Sequence, residues 1–141
     1  MQLSDRFLNL VQQQLRSFNA DVSVERLVVY VARPREGQAP SLEAVGEWPE
    51  TSNSLPPVEA DPELRTPSQV RRWYPLQERE ILLGVLRAEL PVSFGGWPET
   101  LDNNLQATAL VLANALSLEI ERAKLLAEIT HQQEQISLMV H

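Results

Sequence analysis

The chain has 141 residues, 43% of them hydrophobic and 22% charged, with a formal net charge of −7, enough for one domain with its own core. It has no cysteine, which excludes disulfides, thiolate metal sites and a thioether-linked chromophore. Almost all of its positive charge is arginine, with no basic stripe for nucleic acid beyond Arg71-Arg72 beside Trp73 and Tyr74; no segment reads as a membrane span or a signal peptide, and the expected location is the cytoplasm.

Leu3, Phe7, Leu10, Val11, Leu15 and Phe18 fall on one helical stripe, so the chain is expected to open with an amphipathic helix broken at Asn19-Ala20-Asp21. The run from Arg26 to Arg33, rich in β-branched and aromatic residues, predicts a strand buried on both faces and hence central in a sheet. Pro34 to Pro40 reads as the turn, and Leu42 to Trp48 as the returning strand. From Pro49 to Pro67 the chain is rich in proline and acid, a composition expected of a loop or loosely attached flap. Trp73–Arg79 and Ile81–Glu89 then predict two more strands joined by a tight hairpin.

Phe94-Gly95-Gly96-Trp97-Pro98 is a turn that leads into a long helix, with Pro98 suited to its first turn. Fully helical, residues 98–141 would extend about 66 Å at 1.5 Å per residue. A domain of this size is only about 30 Å across, so the distal part must project beyond it. The fold class is therefore α+β: an antiparallel sheet with the two helices on one face.

The later apolar positions of the long helix, Leu112, Leu116, Ile120, Ala123, Leu126, Ile129, Gln133, Ile136 and Val140, step by threes and fours. That spacing predicts a coiled-coil seam with one irregularity between Ile120 and Leu126. A seam of this kind is expected to make a parallel homodimer, with Leu112, Leu116, Ile120, Ile129 and Ile136 at the interface.

Chemistry-bearing motifs are few. His131 and His141 lie ten positions apart on one helix and cannot meet on one metal. There is no phosphate-binding loop and no nucleophile elbow. Glu43, Glu47, Glu78 and Glu89 sit on strands, where an acid/base pair is conceivable but a solvent-facing sheet surface is the ordinary reading. By itself the chain is not expected to be catalytic, and no cofactor is identifiable. His141 reads as a surface residue, the remnant of a tag, or a phosphoryl acceptor beside the seam, reachable by a separate ATP-holding domain.

The order of elements, with Tyr74-Pro75-Leu76 opening a hairpin and Gly84-Val85-Leu86 on its second strand, resembles GAF domains. The segment Pro98–Leu118 is similar to their closing helix. Ile136-Ser137-Leu138-Met139-Val140-His141 resembles the start of the dimerisation and phosphoacceptor region of sensor histidine kinases, cyanobacterial ones included, although the Leu-Arg-x-Pro that follows in those kinases is absent. The resemblance implies a sensory domain at residues 1–118 and a signalling helix at 119–141. It also implies a homodimer through the N- and C-terminal helices, and a response regulator served by the parent kinase. A ligand would sit against Trp73, Tyr74, Leu76 and Arg87. Covalent tetrapyrrole binding needs the missing cysteine, haem or iron is not expected, and the cyclic-nucleotide signature is lacking. The alternatives are a ligand-free scaffold that only sets dimer geometry, and a small enzyme that uses the strand carboxylates.

Overall fold

The computed structural model describes residues 3–18, 24–49, 58–59, 70–91 and 96–140, with 58–59 and 137–140 described by their backbone alone. The chain opens with helix α1 (Asp5–Arg16), whose N-cap Ser4 accepts a hydrogen bond from the Phe7 amide at 3.2 Å. Phe7, Val11 and Leu15 recur every four residues on its buried face. The expected break at Asn19-Ala20-Asp21 lies outside the described residues.

Strands β1 (Arg26–Arg35), β2 (Gln38–Trp48), β3 (Val58–Glu59), β4 (Arg71–Glu78) and β5 (Ile81–Glu89) form one antiparallel sheet in the order β3-β2-β1-β5-β4. β1 is central, as its unbroken apolar run predicts, and Leu27 through Val31 are all buried. The last element is α2 (Glu99–Val140), a single helix of 42 residues, about 63 Å long at 1.5 Å per residue. Both helices pack on the same face of the sheet, so the architecture is α+β as expected.

Two expectations are corrected. The first hairpin turns at Glu36-Gly37 alone, because Arg35 pairs with Gln38; Pro34 and Pro40 lie within the strands. Gly37 supplies the positive φ of 70° the turn requires, and Pro34, which has no N–H to donate, falls at a register shift between Arg33 and Arg35. Within the proline-rich stretch Val58 and Glu59 form a short strand that pairs with Leu42 and Ser41; apart from these and Pro49 the stretch lies outside the described residues. The second hairpin is as tight as predicted, with Glu78 opposite Ile81 and positive φ at both Arg79 (49°) and Glu80 (71°).

Gly46 and Gly84 mark close approaches. A Cβ on Gly84 would stand 2.2 Å from the Tyr30 carbonyl oxygen, and one on Gly46 would stand 2.4 Å from Val11 Cγ1. A side chain at Gly46 would force Val11, at the interface of α1 with β2, to shift.

Candidate functional site

Strand alternation sorts the chemistry onto two faces. On the face away from the helices, Val28, Tyr30, Leu42 and Val85 form a small buried cluster, flanked by the half-buried Trp73. Register places Val28 opposite both Glu47 and Arg87, and Arg87 in turn opposite Trp73. The Arg87 guanidinium lies 5.5 Å from the Trp73 ring and donates from Nη1 to the Tyr30 hydroxyl at 3.2 Å. Its Nη2 pairs with Glu89 at 2.5 Å, while its buried Nε makes no hydrogen bond. Alongside, Arg26 grips Glu47 at 2.7 Å. Burial pushes the Tyr30 phenol above its ordinary pKa, against the pull of Arg87.

On the opposite side of β4, a second cluster fastens the start of α2. Tyr74 donates to Asp102 Oδ1 at 2.6 Å, Arg72 reaches the same oxygen at 3.0 Å, and Trp97 Nε1 donates to the Tyr74 hydroxyl at 3.1 Å. Arg72 also lies 4.9 Å from the Trp97 ring centroid, and Gln106 donates to Asp102 Oδ2. Burial, and then the hydrogen bond to Asp102, hold the Tyr74 phenol neutral far above its ordinary range.

The structure thus divides the residues proposed to bind a ligand. Trp73 and Arg87 meet on the open face, whereas Tyr74 and Leu76 point into the core under the helices. Tyr30, Arg26, Glu47 and Glu89 complete the open-face cluster; the sequence marked Glu47 and Glu89 only as strand carboxylates, and Tyr30 and Arg26 not at all. The continuous apolar run of β1 hid Tyr30, although the i, i+2 pair Arg87 and Glu89 was a readable sign of a charged face. Arg71 and Arg72, the nearest approach to a basic patch, point to opposite faces, with Arg71 6.0 Å from the Trp73 ring and Arg72 in the Asp102 cluster.

The strand carboxylates do not pair with one another. Glu47, Glu89 and Glu43 each hold an arginine, and Glu78 accepts from Ser117 Oγ. Among the described residues no group of three or more His, Asp or Glu is placed to hold a metal ion. Among the described residues no helix is long and apolar enough to cross a membrane.

The residues assigned to a dimer interface divide as well. Leu112 and Leu116 are wholly buried in the chain's own core and Ile120 packs against it, while Ile129 and Ile136 are 50% and 61% exposed. The reason is geometric: each step of three residues lags a full helical turn by about 60°. Successive threes from Ile120 through Ala123 and Leu126 to Ile129 carry the row from the sheet side round to the open side. From Lys124 to Ile136 every residue of α2 is exposed. His131 lies there, 3.1 Å from Gln135 Nε2, and His141 lies outside the described residues.

No family model, curated protein or solved structure matches this chain.

Proposed function

We propose that the chain is the sensory and dimerisation module of a cytoplasmic two-component sensor histidine kinase. In this reading residues 1–118 form a GAF-like domain and 119–141 a signalling helix that leads to His141. The observation that carries it is α2 itself: one unbroken helix, clamped into the core over its first half and exposed at every residue from Lys124 to Ile136.

Strand β4 is the common element between stimulus and output. Trp73 faces the open-face cluster, while its neighbours Arg72 and Tyr74 hold Asp102 in the first turn of α2. A ligand that displaces Trp73 or engages the unpartnered Arg87 Nε would move β4 and, through Asp102, the root of the helix. The acceptor chemistry at the far end is phosphoryl transfer. A His141 ring nitrogen attacks the γ-phosphorus of ATP held by the parent kinase, ADP leaves, and the phosphohistidine supplies the response regulator.

The test is a set of fusions that join α2 to the dimerisation helix of a well-behaved kinase core lacking its own sensor. Insertion of one to seven residues after Gln132 rotates the junction by about 100° per residue. Kinase activity is expected to rise and fall with the heptad; activity absent in every phase, or equal in all of them, would reject a helical output.

The second reading, a scaffold that binds no ligand, is favoured by one feature: Arg26 and Arg87 already have carboxylate partners on the open face. A thermal-shift screen with carboxylates, nucleotides and tetrapyrroles separates the two. A hit abolished by Arg87→Met supports the sensor, and a flat screen supports the scaffold.

A further inference from the structure

Among the described residues eight large apolar side chains are exposed, and five of them, Val111, Leu118, Leu125, Ile129 and Ile136, lie on one row of α2. With Ala115, Arg122 and Gln132 the row reads 111, 115, 118, 122, 125, 129, 132, 136, in alternating steps of four and three. That is an uninterrupted heptad. It needs no irregularity, and it runs down the side of α2 that turns away from the buried Leu112 and Leu116.

We propose that this row is the surface on which a second copy of the chain docks, its α2 lying parallel and in register. The inference deepens the sensory reading by naming its dimer seam. Ala115, Arg122, Ile129 and Ile136 take the a positions, and Val111, Leu118, Leu125 and Gln132 the d positions. Ile at a with Leu at d is the combination that favours two parallel strands.

Arg122 at an a position would be costly without an opposite charge. In the parallel register Glu121 of the second copy occupies the flanking g position, and the two exchanges across the axis neutralise both arginines. A polar layer of this kind fixes the register. Glu119, on the other flank, already accepts the Ser4 amide at 2.6 Å and ties α1 to α2. The surface continues onto α1, because a groove of about 790 Å³ lies between Arg6, Leu10 and Gln13 on one wall and Ala115, Leu118 and Arg122 on the other.

Because the chain has no cysteine, single cysteines can report the seam. A disulfide closes only between Cα atoms about 4.4–6.8 Å apart. Under mild oxidation Leu118→Cys and Leu125→Cys are expected to form like-with-like dimers at least about tenfold faster than Lys124→Cys or Leu110→Cys, which lie off the row. Arg122→Glu should lower the dimer fraction seen in sedimentation, and Arg122→Ile should raise it. A chain that stays monomeric at tens of micromolar overturns the seam, as does equal cross-linking at all four positions. Preferential mixed cross-linking of Leu118→Cys with Ile136→Cys would show antiparallel helices and overturn it too. These experiments need no kinase, so a failed seam is distinguishable from a failed sensory reading, which the fusions and the ligand screen test separately.

Discussion

The two halves of α2 are both rich in Leu and Ala, with the isoleucines confined to the second, but they differ in what their apolar side chains face. In the first half Leu101, Leu105, Leu112 and Leu116 are at most 2% exposed against the sheet, and Asp102 is held by Tyr74 and Arg72. In the second half Leu125, Leu126, Ile129 and Ile136 are at least half exposed. Identical chemistry therefore serves the chain's own stability at one end and is left for another surface at the other. Helix propensity is the same in both; the partner decides.

The sharpest way to break this contrast is a pair of truncations two residues apart. Leu116→Ala should cost about 3 kcal/mol of unfolding free energy, since it leaves a cavity in the core. Leu118→Ala, at a position 68% exposed, should stay within about 0.5 kcal/mol in a monomer. Denaturant unfolding at low protein concentration measures both, and equal losses would erase the distinction between the halves.

The clamp on the first half comes next. Tyr74→Phe removes the donor to Asp102 and the acceptor of Trp97, at a cost of about 1–2 kcal/mol. Since the Tyr74 phenol titrates far above its ordinary 10.0 in the fold, the unfolded chain releases its proton first. Stability is therefore intact below pH 10 and declines as pH rises beyond it, a decline that Tyr74→Phe should reduce.

A smaller effect of opposite sign is expected at the hairpin that carries β4. Glu80, at φ 71°, pays the left-handed penalty that glycine avoids, so Glu80→Gly should raise the melting temperature, by about 1 kcal/mol in stability. The smallest effect concerns the tie between the helices. The Ser4 hydrogen bond holds the Glu119 carboxyl below its ordinary 4.5. Its contribution is present above that pH and is lost as pH falls through the lower folded value. Amide protection factors in the first turn of α1, taken relative to the intrinsic exchange rate at each pH, should fall on acidification, and Glu119→Gln should blunt that pH dependence.

Much of the fold was readable from local pattern. The α1 stripe, the central place of β1, the second hairpin and the start of α2 after Pro98 each follow from spacing, branching or turn geometry within a few residues. The first turn was less legible, because two prolines suggested a longer loop where a single positive-φ glycine suffices. The candidate site was half legible. Trp73 and Arg87 stood out as an aromatic and a cation on neighbouring strands, but their sequence neighbours Tyr74 and Leu76 point the other way.

Sequence alone determined that α2 would be long, apolar along its length and repeated at close to 3.5 residues. Which of its overlapping rows faces inward was decided by tertiary structure. A helix carries several rows that satisfy a three-four spacing within a short window, and periodicity cannot say which one meets the sheet. Packing against β4 and β5 buries Leu112 and Leu116 and leaves Val111 and Leu118 outside. Burial depends on the element that lies opposite, and that element comes from a distant part of the chain.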